Sequence, residues 1–180
     1  MNFAIDTSID LFSEIKKDGF KILPILFGNS GKDDWQILAE ALAKNIQGKN
    51  ILVIASTDMS HYPSYEQANY ADGKTLQAIV AGQVSELEKT ISDLGKENVP
   101  GAETFLCGHD AVKTLMVLSQ KRGTGEIKIL KYKNSGDTAG DKSRVVGYGA
   151  MAFMMSNKSN QVNEKEQKKL LEIARQSVVA

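Results

Sequence analysis

The sequence predicts an α/β protein, a three-layer α/β/α sandwich around a mixed, mostly parallel sheet. Three observations carry that expectation. Segments of helical period alternate with strand-like segments along the chain. The run Ile51-Leu52-Val53-Ile54-Ala55 is uninterrupted and rich in β-branched residues, the pattern of a strand covered on both faces. The last two strand-like segments, 127–132 and 145–155, flank a Gly/Asp loop as hairpin neighbours would, which makes the sheet mixed.

Taken in order, Ile9, Leu11, Phe12 and Ile15 recur at helical spacing until Lys17-Asp18-Gly19 stops the pattern. Residues 20–27 read as a buried strand ending at Gly28, with Pro24 favouring an edge or a bulge. A helix is expected over 33–46, with Trp35, Leu38, Leu42 and Ile46 close to one face. After the 51–55 strand, helices are expected over 64–81 and 85–94, and Pro100-Gly101 breaks the chain before Thr104-Phe105-Leu106. Val112, Leu115, Met116 and Leu118 suit a helix over 109–120, with Gly123 as its stop. Met151, Met154 and Met155 in the last strand read as core filler. Residues 1–155 thus form one domain, 156–162 a polar linker, and 163–180 a terminal helix with a capping-box-like start at Asn163 and Glu166. That helix either packs back on the domain or opens a further one.

Composition excludes several classes. The 180 residues carry 22 basic and 22 acidic side chains, so no positive excess exists to hold nucleic acid. No apolar run approaches the ~20 residues that span a bilayer, and acidic residues near the start argue against a signal peptide, so a soluble cytoplasmic protein is expected. One cysteine cannot form an internal disulfide, and one cysteine with two histidines is short of a self-contained His/Cys zinc site.

Chemistry concentrates in three places. Ser56-Thr57-Asp58-Met59-Ser60-His61-Tyr62 follows the 51–55 run, where loops of open α/β sheets bind ligands. Asp58 can turn toward the His61 imidazole and raise its basicity, and Tyr62 adds a phenol; the competing reading is a polar loop in which Asp58 caps the next helix. Cys107-Gly108-His109-Asp110 precedes a helix whose N-terminus would stabilise a thiolate, although a lone cysteine equally often serves as a small buried hydrophobe. His109 either enters the same cleft or caps the helix, and capping is the simpler reading. The loop from Asn134 through Asp137 to Arg144 nearly spells a phosphate-binding loop, but Asp141 stands where glycine is needed and a strand follows, so nucleotide binding is rejected. Asn134 and Asp137 either line the cleft or belong to a turn-rich connection.

Four ordered blocks resemble the Memo family: residues 21–28, residues 56–62, Leu106-Cys107-Gly108, and Asn134-Ser135-Gly136-Asp137 with residues 140–148. In bacteria and archaea the match is similar to the protein B component of the AmmeMemoRadiSam system. The resemblance implies a fold like that of LigB-type class III extradiol dioxygenases, which use non-haem iron. It implies a metal, iron or copper, on Cys107 and on two histidines of an N-terminal portion, with His61 and Asp58 performing acid/base chemistry. His109 matches no family position, and neither of those N-terminal histidine blocks occurs here. The chain therefore reads as lacking the family's N-terminal portion, and 163–180 resembles the opening helix of an AMMECR-type domain. A metal-dependent redox or dioxygenase-like protein with an incomplete site is the resulting expectation, with the isolated chain inactive. A non-enzymatic module binding a small molecule or peptide in the same cleft is the alternative. Expected partners are AMMECR-type and radical SAM proteins, and apolar surface left uncovered would favour a homo-oligomer.

Overall fold

A computed structural model describes residues 21–28, 31–138, 140–155 and 168–169. The amphipathic stretch from Ile9 to Ile15, the linker 156–162 and the apolar stripe of 163–180 lie outside the described residues. Among the described residues are four helices, α1 (Asp34–Asn45), α2 (Tyr65–Val80), α3 (Val84–Glu97) and α4 (His109–Lys121). Two strands follow, β1 (Thr124–Asn134) and β2 (Gly147–Met155), separated by a 3-10 turn at Ser135–Asp137.

The helices form where apolar period and stop residues agree. On α2, Ala68, Ala71, Thr75, Leu76 and Ile79 fall on one buried face. On α3, Leu87 and Leu94 lie two turns apart and are both buried, and the helix ends at Asn98 in a left-handed conformation (φ 51°). Beyond α4, Gly123 takes φ 75°, a backbone conformation that glycine adopts without strain.

The described residues build a mixed α/β unit whose sheet has two strands, β1 and β2, paired antiparallel from Glu126 opposite Met154 to Asn134 opposite Gly147. The hairpin relation expected for the last two strands is present, whereas no parallel pair forms among the described residues. The difference lies in two segments. Residues 21–28 and 51–55 are not strands, and Ile22, Leu23, Ile25, Leu26, Ile51, Leu52 and Ile54 are exposed, Leu23 to 79% and Leu52 to 66%. A buried strand exists only where neighbours take up its N–H and C=O groups, and no described strand pairs with either segment.

The core positions the site. Met59, Leu76, Ile79, Leu87, Leu106, Val112 and Met116 form its main cluster, and Ile127, Tyr132, Met151 and Phe153 of the ribbon pack against it. Met151 is thus core filler as its composition implied. Ala71, Leu94, Val99 and Phe105 make a second cluster. Two core residues hold the loops that carry the chemistry: Met59 anchors the chain one residue beyond Asp58, and Leu106 anchors it one residue before Cys107. Burial of each such side chain stabilises the fold by about 1.5–3 kcal/mol, so the site loops are held from beneath.

Candidate metal centre

Backbone hydrogen bonds draw two distant loops together. Met59 N–H donates to the Gly147 carbonyl at 2.9 Å, and Gly147 N–H donates to that of Ser60 at 2.9 Å. Tyr62 N–H reaches the Val145 carbonyl at 2.8 Å. On the opposite side His61 N–H donates to Thr104 O at 3.1 Å, Glu103 N–H to His61 O at 3.0 Å, and Cys107 N–H to Asp58 O at 3.3 Å. His61 therefore bridges antiparallel to both Thr104 and Val146. The motif loop behaves as a short strand between 103–107 and 145–147.

This pairing sets the side chains. His61 Nε2 lies 3.2 Å from Asp58 Oδ2. Asp58, His61 and Cys107 each offer one ligand atom, and these atoms all lie within 4.8 Å of one another. The Cys107 Sγ accepts the Asp58 N–H at 3.3 Å, and Thr57 Oγ1 is 3.6 Å away. Thr57 also donates to the Asp58 carbonyl at 2.8 Å and accepts the Gly108 N–H at 2.7 Å, tying both loops through one hydroxyl. Contact is so close at Gly108 that a Cβ there would lie 2.8 Å from the Thr57 Cβ. Cys107 is exposed and not disulfide-bonded, one residue before Gly108, the N-cap of α4.

Of the remaining sequence candidates, Tyr62 and Gly108 lie beside the three donors, whereas His109, Asn134 and Asp137 make other contacts. Tyr62 adopts φ 70°, and its ring centroid is 5.6 Å from that of His61, with the Arg144 guanidinium 4.7 Å above the phenol ring. His109 is the first residue of α4 and makes no side-chain cap; its Nε2 lies 3.3 Å from Asp110 Oδ1. It lines a groove with Leu87, Ile91 and Lys113, away from the capping role that its position suggested. Asn134 and Asp137 form a capping box around the 3-10 turn: Asn134 Oδ1 accepts the Gly136 N–H at 3.0 Å and Asp137 Oδ2 accepts the Asn134 N–H at 3.0 Å. That backbone bond holds the Asp137 carboxyl below the usual carboxylate range. Both side chains serve the connection between the strands.

Sequence reasoning missed Asp72. It is fully buried on α2, with Oδ1 accepting the Ser60 N–H at 2.8 Å and Oδ2 accepting the Tyr132 hydroxyl at 2.7 Å. Burial pushes its carboxyl above the usual range, and these bonds pull it back; burial, with the Asp72 charge, also pushes the Tyr132 phenol up. The signal was present in the sequence as an acid among Ala68, Ala71, Thr75 and Leu76 on an apolar face.

Comparison with known proteins decides the relationship. The family model for Memo-like protein matches residues 4–152. This chain belongs to the Memo family. A MEMO1 family protein of Thermoplasma acidophilum is 35% identical to it over 155 residues, covering 86% of this chain and 54% of the relative. One from Methanobrevibacter smithii is 35% identical over 144 residues, covering 79% and 48%. One from Nitrosopumilus maritimus is 30% identical over 151 residues, covering 84% and 52%. The Memo-family chain spans about half the length of the curated relatives it matches. Among its described residues no helix is long and apolar enough to cross a membrane.

Proposed function

We propose that this chain contributes part of a metal centre to a Memo-type redox or dioxygenase-like protein, with iron or copper as the metal. The observation that carries the reading is the convergence of Asp58, His61 and Cys107, whose ligand atoms lie within 4.8 Å of one another although the loops are far apart in sequence. The donor set fits: a thiolate, an imidazole and a carboxylate together suit a borderline transition-metal ion. Donors about 2.0–2.3 Å from one centre stand at most about 4.6 Å apart, so a bound ion would draw the three donor atoms closer together. Three protein donors are fewer than a closed structural site uses, which suits a centre that keeps positions for substrate or for ligands from elsewhere.

A bound metal would supply Lewis-acid or one-electron chemistry. The chain's own residues supply orientation and proton handling. Asp58 accepting Nε2–H fixes the tautomer in which Nδ1 of His61 holds the free lone pair, so this tautomer takes a proton at Nδ1. Ligation through Nε2 would first break the Asp58 bond, and Asp58 would then be free to act as a carboxylate ligand. The Asp58 N–H donates to Cys107 Sγ, and Thr57, its proton spent on the Asp58 carbonyl, ties the two loops together. The family resemblance further supports a small-molecule or peptide ligand and AMMECR-type and radical SAM proteins as partners. Metal analysis after loading with iron or copper tests the reading. Near-stoichiometric metal in the wild type that falls at least tenfold in Cys107→Ser is expected; wild-type protein without bound metal would sink it.

A further inference from the structure

We propose that Asp72 is a positioning residue for the candidate metal centre, acting through Ser60 on the register of Asp58 and His61 against Cys107; this rests on the metal-centre reading above. Asp72 touches none of the three donor side chains. Its Oδ1 instead holds the N–H of Ser60, the residue between Met59 and His61, at 2.8 Å. Its Oδ2 is held by the Tyr132 hydroxyl of β1 at 2.7 Å. Gly147 of β2 completes the clamp from the other side, exchanging backbone bonds with Met59 and Ser60. A Cβ on Gly147 would stand 1.8 Å from Asp72 Oδ2, so the strand approaches the carboxylate in a way that only glycine permits.

The arrangement is costly unless it fixes something. A carboxylate with no exposed surface needs its oxygens satisfied, and here one oxygen is spent on a single backbone amide of the site loop. Removing that acceptor leaves the Ser60 N–H buried without a partner and loosens the hold on residues 58–61, whose remaining backbone bonds run to Gly147, Thr104, Glu103 and Cys107. Metal sites tolerate ligand displacement poorly, and partners behind the ligands commonly change affinity 10–100-fold.

The test titrates the metal-free full chain with Co2+, a spectroscopic probe whose thiolate charge-transfer band reports Cys107. It compares wild type, Asp72→Ala, Asp72→Asn and Tyr132→Phe well below their melting temperatures. Asp72→Ala should weaken Co2+ binding at least tenfold and diminish the band. Asp72→Asn, which keeps an oxygen for Ser60, should recover most of the affinity. A residue that only stabilises the fold would lower the melting temperature and leave the affinity of the folded protein unchanged, and that result overturns the proposal. If Asp72→Ala does not fold, Tyr132→Phe reads the same clamp, and wild-type affinity in that variant counts against it. If the wild type shows no Cys107-dependent band, the metal-centre reading fails. The positioning of His61 is then decided by its imidazole NMR resonances in metal-free protein. Resonances of His61 that move in the Asp72 variants while those of His109 stay in place support it, and unmoved His61 resonances overturn it.

Discussion

At the scale of single residues, Gly108 and Asp72 have consequences that extend beyond their own positions. Gly108 lets the α4 start lie against Thr57, and Gly108→Ala would force the two loops apart. We expect a loss of about 1–3 kcal/mol in chemical denaturation, the cost of overpacking a tight contact. Alkylation of Cys107 should change rate in the same variant, because its distance to the Asp58 N–H changes. Unchanged stability would show that the loop yields cheaply. Asp72 has a pH signature. Burial raises its folded-state carboxyl above the ordinary value of 3.8, so the ionised form is disfavoured by folding. The contribution is therefore fully present below the ordinary value and is lost as pH rises through the raised one. Wild-type stability relative to Asp72→Asn should fall as pH climbs from 3.8 through the raised value, then level off. Paired thermal melts across that window check this, and a difference independent of pH would contradict it.

At the scale of elements, two kinds of apolar residue look alike in sequence and behave differently in the fold. Leu94 on α3 is completely buried between Ala71, Val99 and Phe105. Leu94→Ala should cost about 2–5 kcal/mol, read from urea denaturation. Leu23 and Leu52 belong to the exposed segments, so Leu23→Lys with Leu52→Lys should change stability by less than about 0.5 kcal/mol each. Analytical ultracentrifugation compares the two proteins, and we expect weaker self-association in the double variant, whose exposed apolar area is smaller. A large loss of stability would mean that these segments are buried in the chain as it exists in solution.

The same elements show how far sequence reasoning reaches. The four described helices fall within a few residues of their expected bounds, because amphipathic period, caps and breakers are local properties. The β-hairpin was legible for the same reason. The strands expected at 20–27 and 51–55 rest on apolar and β-branched content, which states only that a segment wants cover. Pairing depends on neighbours that a linear pattern does not specify.

At the scale of the whole molecule, activity turns on the donors that meet at the candidate centre. With three candidate protein donors brought together here, we expect no oxygenase turnover from the isolated chain with iron and oxygen. Oxygen consumption that depends on both substrate and Cys107 would refute that expectation. Motif order and helical period, written along the chain, identify the family, the helices and the two loops that hold Asp58, His61 and Cys107. That those loops meet is a matter of tertiary structure, because the meeting depends on His61 bridging Thr104 and Val146. Tertiary structure alone exposed the clamp of Asp72, Tyr132 and Gly147, whose members come from one helix and two strands. Local propensity acts between neighbours in sequence, whereas a buried charge acquires its partners only when separate elements close around it.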